Sequence, residues 1–269
     1  MTTLSTFRIT TYFSCALALC LTLLPGMSTA QLAEPNAMGT SMGHLHFQAA
    51  DAEAAGEFWQ KLGAQQVQNG PLNMYGIPGV LILVREARPS SGSAGNMIIH
   101  VGFHVPDVNA AYEGWQAAGI DVERGGFPGQ LWVHGPDGLL IEILQNTEIN
   151  TPIQMHHIHW ETPDIAAMQA WYSDMFGAVP GMRGNFQAAD IPGVNLTFNQ
   201  AEAPVQATQG TVLDHIGFEV SDLSATIAKL EAAGITVSGY REIEAANLTI
   251  AFLTDPWGTY IELTQGLEP

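Results

Sequence analysis

The chain has 269 residues, 46% of them apolar, with 28 Gly and 15 Pro, which is enough apolar material for one large or two modest cores and excludes a disordered chain. Eight Lys and Arg stand against 26 Asp and Glu, a formal charge of −18, so nucleic acid and anionic lipid are excluded as natural partners.

Residues 8–30, "RITTYFSCALALCLTLLPGMSTA", combine a charged start, an apolar middle and small residues at Ser28 and Ala30. This pattern predicts a signal peptide over residues 1–30, cleaved near Ala30, and hence a secreted or periplasmic protein without membrane contact after cleavage. The strongly apolar part is short for a spanning helix and is broken by Pro25-Gly26. Both cysteines, Cys15 and Cys20, lie in this segment, so the chemistry of the mature chain must come from His, Glu and Asp.

Beyond the leader, four segments align with one another: "GHLHFQAADAEAAGEFWQKLGA" from Gly43, "IHVGFHVPDVNAAYEGWQAAGI" from Ile99, "HHIHWETPDIAAMQAWYSDMFGA" from His156 and "DHIGFEVSDLSATIAKLEAAGI" from Asp214. Each predicts a strand, then a helix capped by Asp51, Asp107, Asp164 or Asp222 and closed at Gly63, Gly119, Gly177 or Gly234. Short extended runs follow, such as "IDVERG", "GQLWVHG" and "GLLIEILQ" in the second copy, so each unit reads as βαβββ. One unit cannot bury both faces of its sheet, so units should pair. The polar, Pro-containing stretch "NTEINTPIQ" at 146–154 reads as the boundary, predicting two domains of two consecutive units each, 40–146 and 155–265.

The first strands place His44, His100, His157 and His215 in one register. Strand alternation puts His46 beside His44 and His159 beside His157 on the polar face, and assigns His156 to the opposite face. The last strands of the second and fourth units carry Glu142 and Glu262 between branched apolar residues, where a covered carboxylate needs a partner. With consecutive units paired, two sets of candidate metal ligands follow: His44, His100, Glu142 and His157, His215, Glu262. Two imidazoles and a carboxylate leave coordination positions open to substrate and suit a divalent ion, Fe(II), Mn(II) or Zn(II). His46, His159, His134 and Tyr260 are candidate pocket residues or hydrogen-bond partners of the ligands. No catalytic residue is assigned.

Repeated βαβββ units, a histidine on the first strand and the "DPWGTYIEL" final strand resemble the vicinal oxygen chelate superfamily of glyoxalase I, bleomycin-resistance proteins and extradiol dioxygenases, over about residues 40–265. The resemblance implies an α+β fold of four βαβββ modules paired into two domains, each a cupped mixed sheet with helices on its convex face. It further implies a metal-dependent enzyme acting on a small organic substrate that chelates the metal through vicinal oxygens. Leu83 and Thr197 stand where glyoxalase I carries a fourth ligand, which favours dioxygenase-like over glyoxalase-like lyase or isomerase chemistry. Phe252 stands where extradiol enzymes carry a Tyr, with no His before it, which leaves a non-catalytic small-molecule-binding protein as the other reading. The sequence is also compatible with an oligomer.

Overall fold

The computed structural model describes residues 31–268; the signal peptide expected over 1–30 lies outside them. No helix among the described residues is long and apolar enough to cross a membrane. Four βαβββ units follow one another. The first comprises β1 (Thr40–Ala49), α1 (Ala52–Leu62), β2 (Gln65–Asn69), β3 (Leu72–Ile77) and β4 (Val80–Glu86). The second comprises β5 (Ile98–Val105), α2 (Val108–Ala117), β6 (Asp121–Arg124), β7 (Gln130–His134) and β8 (Leu140–Gln145). The third has β9 (Gln154–Thr162), α3 (Ile165–Phe176), β10 (Val179–Arg183), β11 (Phe186–Ile191) and β12 (Val194–Gln200). The fourth has β13 (Leu213–Val220), α4 (Leu223–Ala232), β14 (Ser238–Ile243), β15 (Leu248–Thr254) and β16 (Tyr260–Gln265). All four helices start where expected, each with the side chain of its Asp accepting from backbone N–H groups of the first turn.

The units pair differently from the sequential expectation. One eight-stranded sheet has the order β14-β15-β16-β13-β1-β4-β3-β2 and joins the first unit to the fourth; the other, β10-β11-β12-β9-β5-β8-β7-β6, joins the second to the third. In each, two first strands run antiparallel at the centre, β1 with β13 and β5 with β9, and each is flanked by its own unit's last strand in parallel.

The linkers explain this outcome. Segment 146–154, which reads as a domain boundary, instead joins two units of one sheet, and its Thr151 and Ile153 are buried. The linkers 87–97 and 201–212 cross between the sheets side by side, tied by Met97 N–H to Gln206 O (2.9 Å), Gln206 N–H to Gly95 O (3.0 Å) and Ser90 N–H to Gly210 O (2.8 Å). Paired backbone groups are thereby satisfied along the crossing.

Apolar faces of both sheets share one core. Trp59 of α1 packs on Phe47 of β1 at 5.1 Å between ring centroids and on Phe103 of β5 at 6.0 Å, so α1 bridges the two sheets. Phe176 of α3 packs on Phe218 of β13 at 4.9 Å, and Tyr172 on Trp160 of β9 at 5.8 Å. Burying these rings between two convex faces gives each helix apolar contacts that one sheet alone would not provide. The polar faces carrying the histidines turn outward, each into the hollow of its own sheet.

Candidate metal centre

The re-pairing redistributes the six candidate ligands. His44, His215 and Glu262 meet in the first sheet, and His100, His157 and Glu142 in the second; the sets built on consecutive pairing are corrected accordingly. All six are buried.

Each cluster rests on a row of three strands. In the first sheet, His44 of β1 lies opposite Gly217 of β13, which lies beside Glu262 of β16. A Cβ at Gly217 would stand 2.0 Å from the His44 ring, so the missing side chain is what lets the imidazole cross β13 to Glu262. His44 Nε2 is 3.1 Å from Glu262 Oε2, and His215 Nε2 is 2.8 Å from the same oxygen. The second sheet repeats the device. His157 lies over Gly102, where a Cβ would meet its ring at 1.9 Å, and reaches Glu142 Oε2 at 3.0 Å. His100 Nε2 is 3.4 Å from that oxygen and 3.2 Å from His157 Nε2.

Donor atoms held at about 2.1 Å from one ion are separated by roughly 3.0–3.4 Å in tetrahedral or octahedral geometry. The second triad, at 3.0, 3.4 and 3.2 Å, matches that spacing, and the two contacts to Glu262 in the first, 3.1 and 2.8 Å, lie close to it; two imidazoles with a carboxylate are a donor set for a borderline divalent ion. The residues therefore fit the metal that the sequence implies.

The surroundings differ through β-bulges. In β13, Asp214 is the extra residue opposite β1; it turns inward and its Oδ1 accepts from His215 Nδ1–H at 2.6 Å. Its other oxygen accepts from Gln48 Nε2 (2.8 Å) and Gly210 N–H (2.7 Å). Such a carboxylate fixes the ring so that Nε2 faces the metal position. The corresponding bulge in β5 is Ile99, which offers no acceptor. In β9 the extra residue is His156, and the bulge brings its ring to 3.8 Å from His104, stacked, with Nδ1 3.0 Å from His157 Nδ1. His156 thus belongs to the ligand side, contrary to simple alternation.

Charge also separates the two sites. Burial pulls the His215 imidazole down, but hydrogen bonds to Asp214 and Glu262 outweigh it and raise its pKa. Burial opposes ionisation of Glu262, yet bonds from His215 and His44 hold the carboxyl well below its ordinary range. Glu142 is held down in the same way by His100 and His157, with Gln130 Nε2 donating to its Oε1. Arg183 of β10 places Nη1 4.0 Å from Glu142 Oε2 and donates from Nε to Thr197 Oγ1 at 2.7 Å. The second site therefore already contains a cation. Burial depresses His157 to about 3 and, together with His100, His159 to about 4.

The first site opens into a cavity of about 580 Å³ that His46, Leu83, Phe252 and Tyr260 also line; the second opens into about 460 Å³, bordered by Phe127, Trp132, His159 and Phe186. Burial, with His215 and His44 nearby, lowers His46 to about 3, leaving a neutral imidazole. His46 and Tyr260 line the first cavity and His159 the second. His134 does not: it is exposed on β7 and pairs with Glu123 Oε1 at 3.1 Å, outside either cavity. Sequence reasoning missed Gly102, Gly217, Asp214 and Arg183. The glycines had a visible signal, because only the second and fourth units read His-x-Gly where the first and third read His-x-His.

Fold and site together define a protein of paired βαβββ units with a His, His, Glu cluster in each curled sheet. Sequence models of the Glyoxalase/Bleomycin resistance protein/Dioxygenase superfamily match residues 41–143 and 156–252. The chain belongs to this superfamily. Glyoxalase I from Zea mays shares the fold with a TM-score of 0.63 at 14% identity, covering 84% of this chain and 92% of its own. A Bacillus subtilis protein assigned as a dioxygenase superposes with a TM-score of 0.65 at 14% identity, covering 85% of this chain and 86% of its own. Among curated proteins, none matches the chain in sequence.

Proposed function

We propose that the protein is an exported enzyme that holds a divalent metal on His44, His215 and Glu262 and acts on a small organic molecule chelating that metal through vicinal oxygens. The observation that carries this reading is the convergence of two imidazole Nε2 atoms on one Glu262 oxygen at the floor of an open cavity, with Asp214 orienting His215. A metal held there would polarise the chelated oxygens or serve oxygen chemistry. His46, neutral beside the ligands, hydrogen-bonds a substrate oxygen, and Tyr260, stacked on Phe252 at 5.3 Å, forms the wall against which the substrate body packs. Dioxygenase-like chemistry is favoured over lyase or isomerase chemistry because Leu83, registered beside His46, puts no carboxylate at that position to act as base, and Asp214, the other carboxylate of the cavity, is taken up by His215, Gln48 and Gly210. The leader-like stretch at 8–30 supports a secreted or periplasmic location.

The test is metal analysis of anaerobically purified wild type beside Glu262→Ala and Glu142→Ala. Stoichiometric Fe, Mn or Zn that disappears with Glu262 supports the reading; a wild type without stoichiometric metal sinks it. Oxygen uptake with catechols against turnover of hemithioacetals then separates the two reaction classes.

A further inference from the structure

Cations are scarce in this chain, with eight Lys and Arg among 269 residues, and two of them, Arg85 and Arg241, line the cavity above the His44, His215, Glu262 cluster. They come from different strands on either side of the cluster. Arg85 lies on β4, registered with Gln48 of β1, and Arg241 lies on β14 at the sheet edge, registered with Ile250 of β15. Four strands, β15, β16, β13 and β1, separate β14 from β4, and the curl of the sheet turns both guanidinium groups toward one hollow.

Neither arginine forms a salt bridge or a side-chain hydrogen bond among the described residues, although the chain carries 26 Asp and Glu. The two carboxylates that line the cavity are already committed, Glu262 to His44 and His215, and Asp214 to His215 and Gln48. The two arginines formally balance these two carboxylates, so a divalent ion on the cluster would leave the cavity net positive. Arg183 at the second site contrasts with this, because its guanidinium is engaged by Thr197 and Glu142. Unpaired arginine forks facing a cavity are groups for binding planar anions. Leu248, Ile250, Phe252 and Tyr260 give the same space an apolar stretch of wall.

We propose that the substrate of this cavity is an organic carboxylate, its charged end held between Arg85 and Arg241 and its apolar body laid against Phe252 and Tyr260. The proposal rests on the reading of this cavity as the substrate site. It adds a charge requirement that a metal cluster alone does not impose, and it places selection at the mouth of the cavity, away from the metal ligands.

The experiment uses the full mature chain loaded with Zn²⁺ and two probes that differ by one carboxylate, 3,4-dihydroxybenzoate and catechol, titrated by calorimetry. Wild type is expected to bind 3,4-dihydroxybenzoate at least about tenfold more tightly, the scale of one charge-assisted contact. In the Arg85→Gln/Arg241→Gln double variant the preference is expected to fall to within about twofold. It should also shrink as NaCl rises, because both arginines are exposed. Unpaired surface positions should leave folding intact, checked by an unchanged Tm. Equal binding of the two probes by wild type, binding of neither, or a preference that survives in the double variant overturns the proposal. Zinc content keeps the two readings apart. If Glu262→Ala keeps its zinc while the carboxylate preference stands, the metal assignment fails alone; if it loses zinc and wild type shows no preference, the carboxylate proposal fails alone.

Discussion

Gly217→Ala is the most direct perturbation of the first site, because it adds one methyl group where the backbone relies on having none. An ideal Cβ at Gly217 lies 2.0 Å from the His44 ring, whereas ordinary contact begins near 3.4 Å, so the imidazole must retreat by roughly the difference. Metal–ligand distances tolerate about 0.2 Å, so a displacement several times larger removes His44 from the ligand set. Loss of one of three protein ligands should weaken metal binding by at least about 100-fold, exceeding the 10–100-fold typical of a lost outer hydrogen bond. Overpacking should also cost about 1–3 kcal/mol of stability. The assay is competition with a chelator of known affinity in a Glu142→Ala background, so that only the first site is counted, with Tm measured in parallel. Gly102→Ala, whose Cβ would meet the His157 ring at 1.9 Å, disturbs the other site by the same clash and should leave the first site's affinity unchanged. A Gly217→Ala protein that folds and keeps wild-type affinity would refute the argument that glycine opens the path from His44 to Glu262.

Three further outcomes follow. Asp214→Asn keeps the shape but removes the charge bonded to His215 Nδ1, and is expected to lower metal affinity at the first site 10–100-fold with little change in fold; unaltered affinity would mean that the 2.6 Å contact does not orient the ring. Arg183→Met removes the cation 4.0 Å from Glu142 and should strengthen metal binding at the second site at least about tenfold, read by titration in a Glu262→Ala background; weaker binding would show that Arg183 supports that site. Glu219 accepts from Thr264 Oγ1 (2.6 Å) and Gly266 N–H (2.7 Å), and burial raises its pKa from 4.5 to about 7. A carboxyl raised on folding contributes stability that is complete below about 4.5 and lost as pH rises through about 7. The Tm of wild type should therefore fall relative to Glu219→Gln between pH 5 and pH 8, and a constant difference would contradict the sign.

What the sequence makes legible is what depends on local spacing. Asp51, Asp107, Asp164 and Asp222 each cap the helix they precede, because capping needs only a side chain a few residues from free N–H groups. The six candidate ligand positions are likewise legible, because four histidines recur at one register of the first strands and two glutamates at one register of the last strands. Which ligands meet is not, since the complement of His-x-His with His-x-Gly is satisfied whether the first unit pairs with the second or the fourth. The choice depends on how linkers 87–97 and 201–212 cross and on the burial of Trp59 and Tyr172 between two sheets, both non-local. Bulges are the other blind spot. One extra residue reverses the alternation, which is how Asp214 and His156 came to face the sites unforeseen. His134 fails for a different reason: β7 carries it to the exposed end of its strand, where Glu123 is its nearest partner.

The bulges also account for how two sites with the same donors come to differ. They fall at equivalent places, Gly43 with His156 and Asp214 with Ile99, so the backbone supplies the same inward turn to both sheets and the side chain there sets its effect. At the first site the turn delivers a carboxylate behind one ligand, which orients His215, and a glycine beside the other, where a Cβ would meet the β13 backbone at Glu219 N, 2.9 Å away. At the second it delivers an isoleucine and a histidine, while Arg183 supplies charge of the sign a metal would have brought. A cation beside Glu142 and a missing acceptor behind His100 both act against a divalent ion there. The two triads should therefore differ in affinity despite nearly equal donor spacing, and the difference should follow residues 214 and 183 rather than the ligands themselves.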